Sequence, residues 1–520
     1  MWVIPDKRAI VLKLRDPARV TAVIPTARTV QHNGVTLVAV PHRYDETRVL
    51  RNIGIDAPAP ISTYYRWSGS YTPFAVQRTT AEMLSMHRRG FVLNGLGSGK
   101  TLSVLWAYDW LRLTHKVKRL LVVCPLSTLE RTWADELFRH FPHLSFAVLH
   151  GTADKRRKLL AQDADVYLIN HDGVQILTAE LAERPDIDLI VVDEIAQAAR
   201  NAQTDRWRAL HSVINKQCDG VRWAWGLTGT PTPNAPTDAW AQCRLMRPES
   251  VPPYFNRFRD SVMRQAGPYK WLARDGATAV VMEAMQPSVC FRREECVDLP
   301  ACMVVSRHAA LTPEQEAAYA TMVTTMAAEC ADGKIIAVNE AVKLAKLVQI
   351  ACGVAYSATG DEVCIPASGR LAVVQEIIEE AASKVIVFVP FVSGVGHVAG
   401  FVRSLGKRVG VIHGGVSKNE RDEIFSGFQK GDDYDVLVAQ PAAMAHGLTL
   451  TAANTIVWYA PVTSNDIYEQ ASGRITRPGQ KLETYIINIE GTPVERKLYA
   501  RLADKQSMQG ALLDLLAEQA

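Results

Sequence analysis

The chain has 520 residues, 48% of them hydrophobic and 22% charged, which excludes a disordered chain, a collagen-like fibre and a coiled-coil rod. Its formal net charge of +4 excludes a histone-like polycation, though not a basic stripe on a balanced body. At about 150 residues per domain the length predicts three or four domains, or two large ones with extras.

The charge is unevenly spread. Residues 1–70 hold ten Lys/Arg against five Asp/Glu. Within them the apolar runs Val20–Ile24 and Val35–Val40 are split by Pro25, Asn33-Gly34 and Pro41. Asn-Gly between strand-like runs predicts a hairpin, so residues 1–70 read as a small β-rich module. Asp56–Pro60 reads as a linker. The N-terminus has charges at positions 6–8 and no long apolar run, unlike a signal peptide.

Residues 71–240 alternate strand, loop and helix. Phe91–Leu93, Leu120–Cys124, Val166–Ile169 and Leu189–Val192 are strand candidates, and Thr101–Leu113 is apolar at helical spacing. Ser127-x-x-Glu130 predicts a capping box. Near-continuous apolar strands between helices indicate a parallel sheet covered on both faces. Residues 241–383 read as a helical insertion, with a helix start at Leu311–Glu314. The alternation resumes over 384–492, with strand candidates at Val385–Val389, Val409–His413, Val436–Ala439, Thr455–Tyr459 and Thr484–Ile489. Residues 493–520 predict a closing helix. Val385–Val402 imitates a membrane span but contains Pro390, Gly394, Gly396 and Gly400, so it reads as a strand, a turn and a further segment. The nine Cys are odd in number and form no C-x-x-C pair; a reducing, cytoplasmic setting is expected.

Asn94–Thr101, NGLGSGKT, lies between a strand and a helix. Gly95, Gly97 and Gly99 allow backbone N–H groups, with that of Ser98, to wrap a triphosphate, and the helix start adds a positive field. Lys100 can reach the β- and γ-phosphates and Thr101 can hold Mg²⁺. The strict phosphate-loop pattern wants glycine at 94, where Asn stands. Ile190–Glu194 supplies the complement. Asp193 at a strand end suits the metal, and Glu194 can orient and deprotonate water. Gln470, Arg474 and Arg477, spaced i, i+4 and i+7, would share one helix face. Two arginines on that face suit a developing phosphoryl charge.

These motifs, in this order, resemble the superfamily-2 helicases, and most of all the SWI/SNF-like ATPases, over residues 72–505. Pro73–Gln77 is similar to the Q-motif, which makes Gln77 an adenine-side candidate. NGLGSGKT corresponds to motif I, Leu121–Thr128 to motif Ia, Asp193–Ala196 to motif II and Leu227–Asn234 to motif III. In the second half, Val385–Val389 resembles motif IV, Gly447–Asn454 motif V and Gln470–Gln480 motif VI. Gly491–Arg496 resembles the closing segment. About 150 residues separate motifs III and IV, as in the SWI/SNF-like group. Ala196 stands where motif II usually has His, and Thr449 where motif V usually has Asn.

The resemblance implies an α/β fold with two RecA-like P-loop lobes, ATP and Mg²⁺ in the cleft, and DNA as partner. It implies ATP binding by Gln470, coupling roles for Thr228, Thr230 and Gly447, and strand contacts at Ser127, Thr128, Asn170, His413 and Thr449. Such contacts are mostly to phosphate. By analogy the compact length suits bacterial or bacteriophage members. The function expected is an ATP-dependent translocase on duplex or branched DNA. A strand-separating DNA or RNA helicase is the alternative, and an ATP-gated nucleic-acid scaffold is a third reading that Lys100, Glu194 and the arginine pair speak against.

Overall fold

The computed structural model describes residues 1–69, 72–95, 97–216, 222–267, 271–291, 300–331, 337–356, 362–444, 449–477 and 479–504. It forms two compact units, residues 1–232 with 236–297, and residues 298–520 with 233–235.

The first unit opens with strands β1 (Trp2–Ile4), β2 (Ala9–Leu12), β3 (Arg28–His32) and β4 (Val35–Pro41). They form an antiparallel sheet in the order β1-β2-β4-β3. The Asn33-Gly34 hairpin is present: both residues have positive φ, and His32 pairs with Val35. Val20–Ile24 is not a strand. Ala18–Thr21 is a helical turn that buries Val20 and Ile24, four residues apart, against the sheet. Asp56–Pro60 is not a free linker either. Ala57 packs into the core of this sheet, while Ala59, Ile61 and Tyr65 join Tyr44 in the core of the larger sheet that follows.

That larger sheet contains β5 (Arg89–Val92), β6 (Arg119–Cys124), β7 (Phe146–Leu149), β8 (Val166–Asn170), β9 (Ile187–Asp193) and β10 (Trp223–Leu227). A small hairpin, β11 (Met263–Gln265) with β12 (Trp271–Ala273), stands apart, and β13 (Ser288–Val289) returns to the sheet edge. The order is β13-β5-β10-β9-β6-β8-β7, with every pairing parallel. Leu120–Cys124 are all fully buried. Each such aliphatic side chain contributes about 1.5–3 kcal/mol, which fixes the strand in the sheet centre and holds its C-terminal end in place.

The second unit has β14 (Cys302–His308), a hairpin of β15 (Val354–Tyr356) and β16 (Glu362–Cys364), then β17 (Lys384–Phe388), β18 (Val409–Ile412), β19 (Val436–Ala439), β20 (Ala453–Trp458) and β21 (Thr484–Glu490). Its six-stranded parallel sheet runs β14-β21-β20-β17-β19-β18. Two parallel sheets flanked by helices make the fold α/β with two RecA-like lobes.

Residues 241–383 are not purely helical, because β13 and β14 lie among them and extend one sheet each. β13 has two residues, and β14 is exposed along most of its length, so neither carries a buried-strand signature. The helix Pro313–Ala331 begins as expected, with Thr312 and Gln315 exchanging backbone and side-chain bonds in a capping box. The closing helix is Pro493–Ala503, and positions 505–520 of the expected helix lie outside the described residues. Val385–Val402 divides into β17 and the helix Val392–Ser404. Among the described residues no helix is long and apolar enough to cross a membrane.

Candidate active site

β5 is followed by residues 93–95 and 97–99, with a turn at Gly97, and then by the helix Lys100–Leu113. Gly97 and Gly99 have φ of +79° and +72°, which glycine adopts without the Cβ clash of other residues. At Gly99 there is a second constraint, because a Cβ would lie 2.0 Å from Nε2 of Gln77. Gln77 is buried. Its Oε1 accepts the N–H of Phe74 at 2.9 Å and its Nε2 donates to the Gly99 carbonyl at 3.5 Å. The Q-motif glutamine thus caps its own helix, Ala75–Met86, and touches the phosphate loop.

Asn94, the departure from the strict loop pattern, has a structural task. It is 1% exposed; its Nδ2 donates to Thr80 Oγ1 at 2.9 Å, and its Oδ1 accepts the N–H of Phe291 at 3.1 Å. Glycine offers neither bond. The Gly95 N–H donates to the Phe291 carbonyl at 3.0 Å, so that amide is committed to the fold and not to a phosphate cradle. Lys100 Nζ donates to the carbonyls of Asn94 and Gly95 at 2.9 and 3.3 Å, which holds the ammonium over the loop. Ser98 Oγ is buried with no hydrogen-bond partner among the described residues, and such a hydroxyl suits an incoming polar ligand. Thr101, the second residue of the helix, is half-buried. These residues fit a nucleotide triphosphate and its cation.

β9 ends at Asp193, which is 8% exposed. Its Oδ1 accepts the N–H of Glu194 at 3.1 Å and its Oδ2 accepts the indole N–H of Trp133 at 3.0 Å. Burial pushes its pKa upward, opposed by the Trp133 bond, the Lys100 charge and the Glu194 N–H. His171, also buried, donates from Nε2 to the Asp193 carbonyl at 2.8 Å. Glu194 has φ +50° and ψ +51°, a left-handed conformation that costs a non-glycine residue roughly 1–3 kcal/mol. That turn takes Glu194 out of the strand alternation that would set it opposite Asp193. Ala196 is buried and brings no polar side-chain atom to the helix Ile195–Ala198.

Leu227 of β10 is in register with Asp193, so Thr228 follows directly beside the carboxylate strand. The Thr228 N–H donates to the Val92 carbonyl at 3.0 Å, and its Oγ1 accepts the N–H of Thr230 at 3.2 Å. Gln242, missed in the sequence, is fully buried, and its Nε2 donates to the carbonyls of Pro231 and Asp238 at 2.7 and 2.9 Å. It ties the Thr228–Pro231 turn to the helix Ala239–Met246. A lone Gln in an apolar stretch carried no visible signal of this.

In the second unit one expectation fails. Gln470, Arg474 and Arg477 do not share one helix, because Asn465–Ser472 ends before the arginines. Gly473 is its C-cap, and a helix that ends there leaves 474 and 477 in turns. Gln470 is on the helix and donates to Asp466 Oδ1 at 2.7 Å. Arg474 is 2% exposed, and its carbonyl accepts the Leu450 N–H at 3.1 Å. Arg477 donates to the Gly473 carbonyl at 3.4 Å and to Thr449 Oγ1 at 3.3 Å. Motifs V and VI therefore meet through Thr449, the residue that replaces the usual Asn. Gly447 lies outside the described residues.

The remaining candidates have local roles. Ser127 does not cap a helix: Leu126–Thr128 already begins one residue earlier, and Thr128 Oγ1 donates to the Pro125 carbonyl at 3.0 Å. Asn170 Oδ1 accepts from Arg156 at 3.0 Å. The His413 ring nitrogen Nδ1 accepts the Gly415 N–H at 3.1 Å. The closing segment has a clear structural use. Glu495, fully buried, accepts from Arg370 at 2.7 and 2.9 Å and from the N–H groups of Gly491 and Thr492 at 2.8 and 3.1 Å.

The profile of the SNF2-related domain matches residues 71–351, more than half of the chain. The chain belongs to the SNF2-related family. The SNF2 match is continued by the helicase conserved C-terminal domain over residues 369–479. The SNF2-related chain is 24% identical to protein p41 of Acyrthosiphon pisum secondary endosymbiont phage 1, over 86% of this chain and 98% of that one. It is 23% identical to an uncharacterized ATP-dependent helicase of Mycoplasma pneumoniae, over 81% of this chain and 40% of that one. Among solved structures it is similar to a Sulfolobus solfataricus SWI2/SNF2 ATPase core in complex with dsDNA, at 25% identity, 84% and 92% coverage and a TM-score of 0.41. As an SNF2-related protein it is a nucleic-acid-dependent ATPase of the ATP-dependent helicase and translocase type.

Proposed function

We propose that this SNF2-related ATPase moves along duplex or branched DNA. The observation that carries the reading is the join of two halves of one chemistry: the Gly97–Lys100 turn and the Asp193-Glu194 strand end stand on one parallel sheet, with Lys100 acting on the Asp193 carboxylate. In this reading backbone N–H groups at 97–101 cradle the phosphates, and Lys100 holds the β- and γ-phosphates. Thr101 and Asp193 hold Mg²⁺, which when bound neutralises phosphate charge. Glu194 takes the proton from the attacking water. Gln77 and Gln470 contact the nucleotide, and Arg474 and Arg477 act on the developing phosphoryl charge. Thr228, Thr230 and Gly447 relay between nucleotide and strand.

Ser127 is exposed and Thr449 sits beside Arg477. Ser127 is the better-placed strand contact, because Thr128, Asn170, His413 and Thr449 are each engaged in a local bond. A DNA duplex is favoured by the SWI/SNF-like separation of motifs III and IV and by the basic residues of 1–70.

The deciding experiment is ATP hydrolysis by the full chain with duplex DNA, forked DNA, single-stranded DNA and RNA. Duplex or forked DNA should stimulate most. Equal or greater stimulation by RNA would overturn the DNA reading. Release of an annealed strand would reassign the motor as strand-separating.

A further inference from the structure

We propose that Trp133 is a positioning residue for the metal-binding carboxylate of Asp193; the inference rests on the reading above, in which Asp193 holds the cation. Trp133 has no exposed surface, yet it is not merely a core side chain. Its indole N–H points to Asp193 Oδ2 at 3.0 Å. The other oxygen, Oδ1, accepts the Glu194 N–H at 3.1 Å. With both oxygens held by N–H donors, the carboxylate plane is fixed in rotation, and its remaining lone pairs are left in a set direction.

The backbone that delivers Trp133 is unusual. Leu126–Thr128 is an α-helical turn, Leu129–Ala134 is a π-helix, and Asp135–His140 resumes the α-helix. The Asp135 N–H donates to the Glu130 carbonyl, five residues back. A π-turn widens the helix and rotates the following side chains relative to a regular one, and such turns are frequent at functional sites. Here the wide turn buries Leu129 and Trp133 in the same core as β6 and β9, with the indole edge reaching the end of β9. His171 grips the same residue from the backbone side, through the Asp193 carbonyl. Since Ala196 has no polar side chain, Trp133 and His171 give Asp193 polar support from the β6 and β8 side of the sheet.

The test compares Trp133→Phe, which keeps the ring and removes the N–H, with Trp106→Phe. Trp106 is equally buried and donates its N–H to the Ser68 carbonyl at 2.8 Å, so it controls for loss of a buried indole bond. Binding of ADP to the full chain is measured by calorimetry with and without Mn²⁺, and bound Mn²⁺ is counted by electron paramagnetic resonance. Loss of an outer-shell partner typically weakens metal affinity about tenfold or more. Trp133→Phe should therefore weaken Mn²⁺-dependent ADP binding about tenfold, leave metal-free ADP binding unchanged, and differ from Trp106→Phe. Unchanged Mn²⁺ dependence would overturn the inference. So would a parallel loss with and without Mn²⁺, or the same loss in the Trp106 variant. Should the Phe variant not fold, benzothienylalanine at 133, which has the indole shape without the N–H, gives the same readout. Asp193→Asn serves as the separate arm: if it binds Mn²⁺ and ADP as the wild type does, the metal assignment itself fails and the role of Trp133 falls with it.

Discussion

The two units carry their chemistry on different kinds of backbone. In the first, Lys100 and Asp193 stand at the ends of a largely buried helix and a buried strand; Gln77 and Asn94 brace the loop before Lys100, and Trp133 bonds Asp193. In the second, Arg474 and Arg477 follow the end of a helix and lie in turns, with Arg477 held by one carbonyl and one hydroxyl. The first arrangement is suited to binding the nucleotide in a fixed frame. The second places its arginines on non-helical backbone beyond a helix end, with Arg474 buried and Arg477 half-buried.

The contrast is sharpest under Glu194→Gln, which keeps shape and removes the base. Turnover should fall by roughly 10²–10⁴ with ATP binding retained, measured by steady-state hydrolysis and by nucleotide trapping. Arg477→Ala should lower turnover while leaving the melting temperature nearly unchanged, since the bonds to the Gly473 carbonyl and Thr449 Oγ1 are long, at 3.4 and 3.3 Å.

The second unit's rigidity lies elsewhere, in the buried Arg370–Glu495 pair. Arg370→Met leaves Glu495 buried without its cation and should destabilise by about 3–5 kcal/mol, read by chemical denaturation. Replacing both partners by apolar residues should recover much of that loss.

Asn94→Gly restores the strict loop pattern yet removes two buried bonds. It should destabilise the first unit by about 1–3 kcal/mol, and a melting temperature equal to wild type would remove Asn94 from the frame that holds the loop.

The smallest effects are electrostatic. Lys13, Arg15 and Arg28 are exposed; changing all three to Gln should weaken DNA binding and lower its salt slope by about 0.9 for each phosphate no longer neutralised, with basal hydrolysis kept. These substitutions are cleaner than deleting residues 1–65, because Tyr44, Ala59, Ile61 and Tyr65 belong to the core of the large sheet. Asp186 is held below the ordinary carboxylate range by Arg184 and, less, Arg119. Its contribution to stability is present above the pKa of an unfolded Asp and is lost as pH falls through the lower folded value. Asp186→Asn should therefore be less stable than wild type near neutrality, the two converging in strong acid.

The strands of both sheets were legible because fully buried parallel strands are continuous apolar runs, as Leu120–Cys124 shows. The phosphate turn reads from its glycines and Lys-Thr between a strand and a helix, whereas Asp193-Glu194, an ordinary pair after a core strand, draws its meaning only from its coupling to that turn. What escaped the sequence had no period or composition to announce it. β13 and β14 are too short or too exposed to read as core. The π-turn at 129–134 leaves Trp133 looking like any buried aromatic. Gly473, between Gln470 and Arg474, is a stop signal that competes with the i, i+4, i+7 spacing, and in the structure the stop prevails.

Glu194 sets a last condition. Its backbone occupies a region that glycine fills with less strain, so the residue most at ease at position 194 is one that has no proton acceptor to offer. Variants gathered by selection for stability alone would drift toward that residue and toward silence. If Glu194 is the base, position 194 carries roughly 1–3 kcal/mol of backbone strain that a glycine would relieve only by giving up the carboxylate.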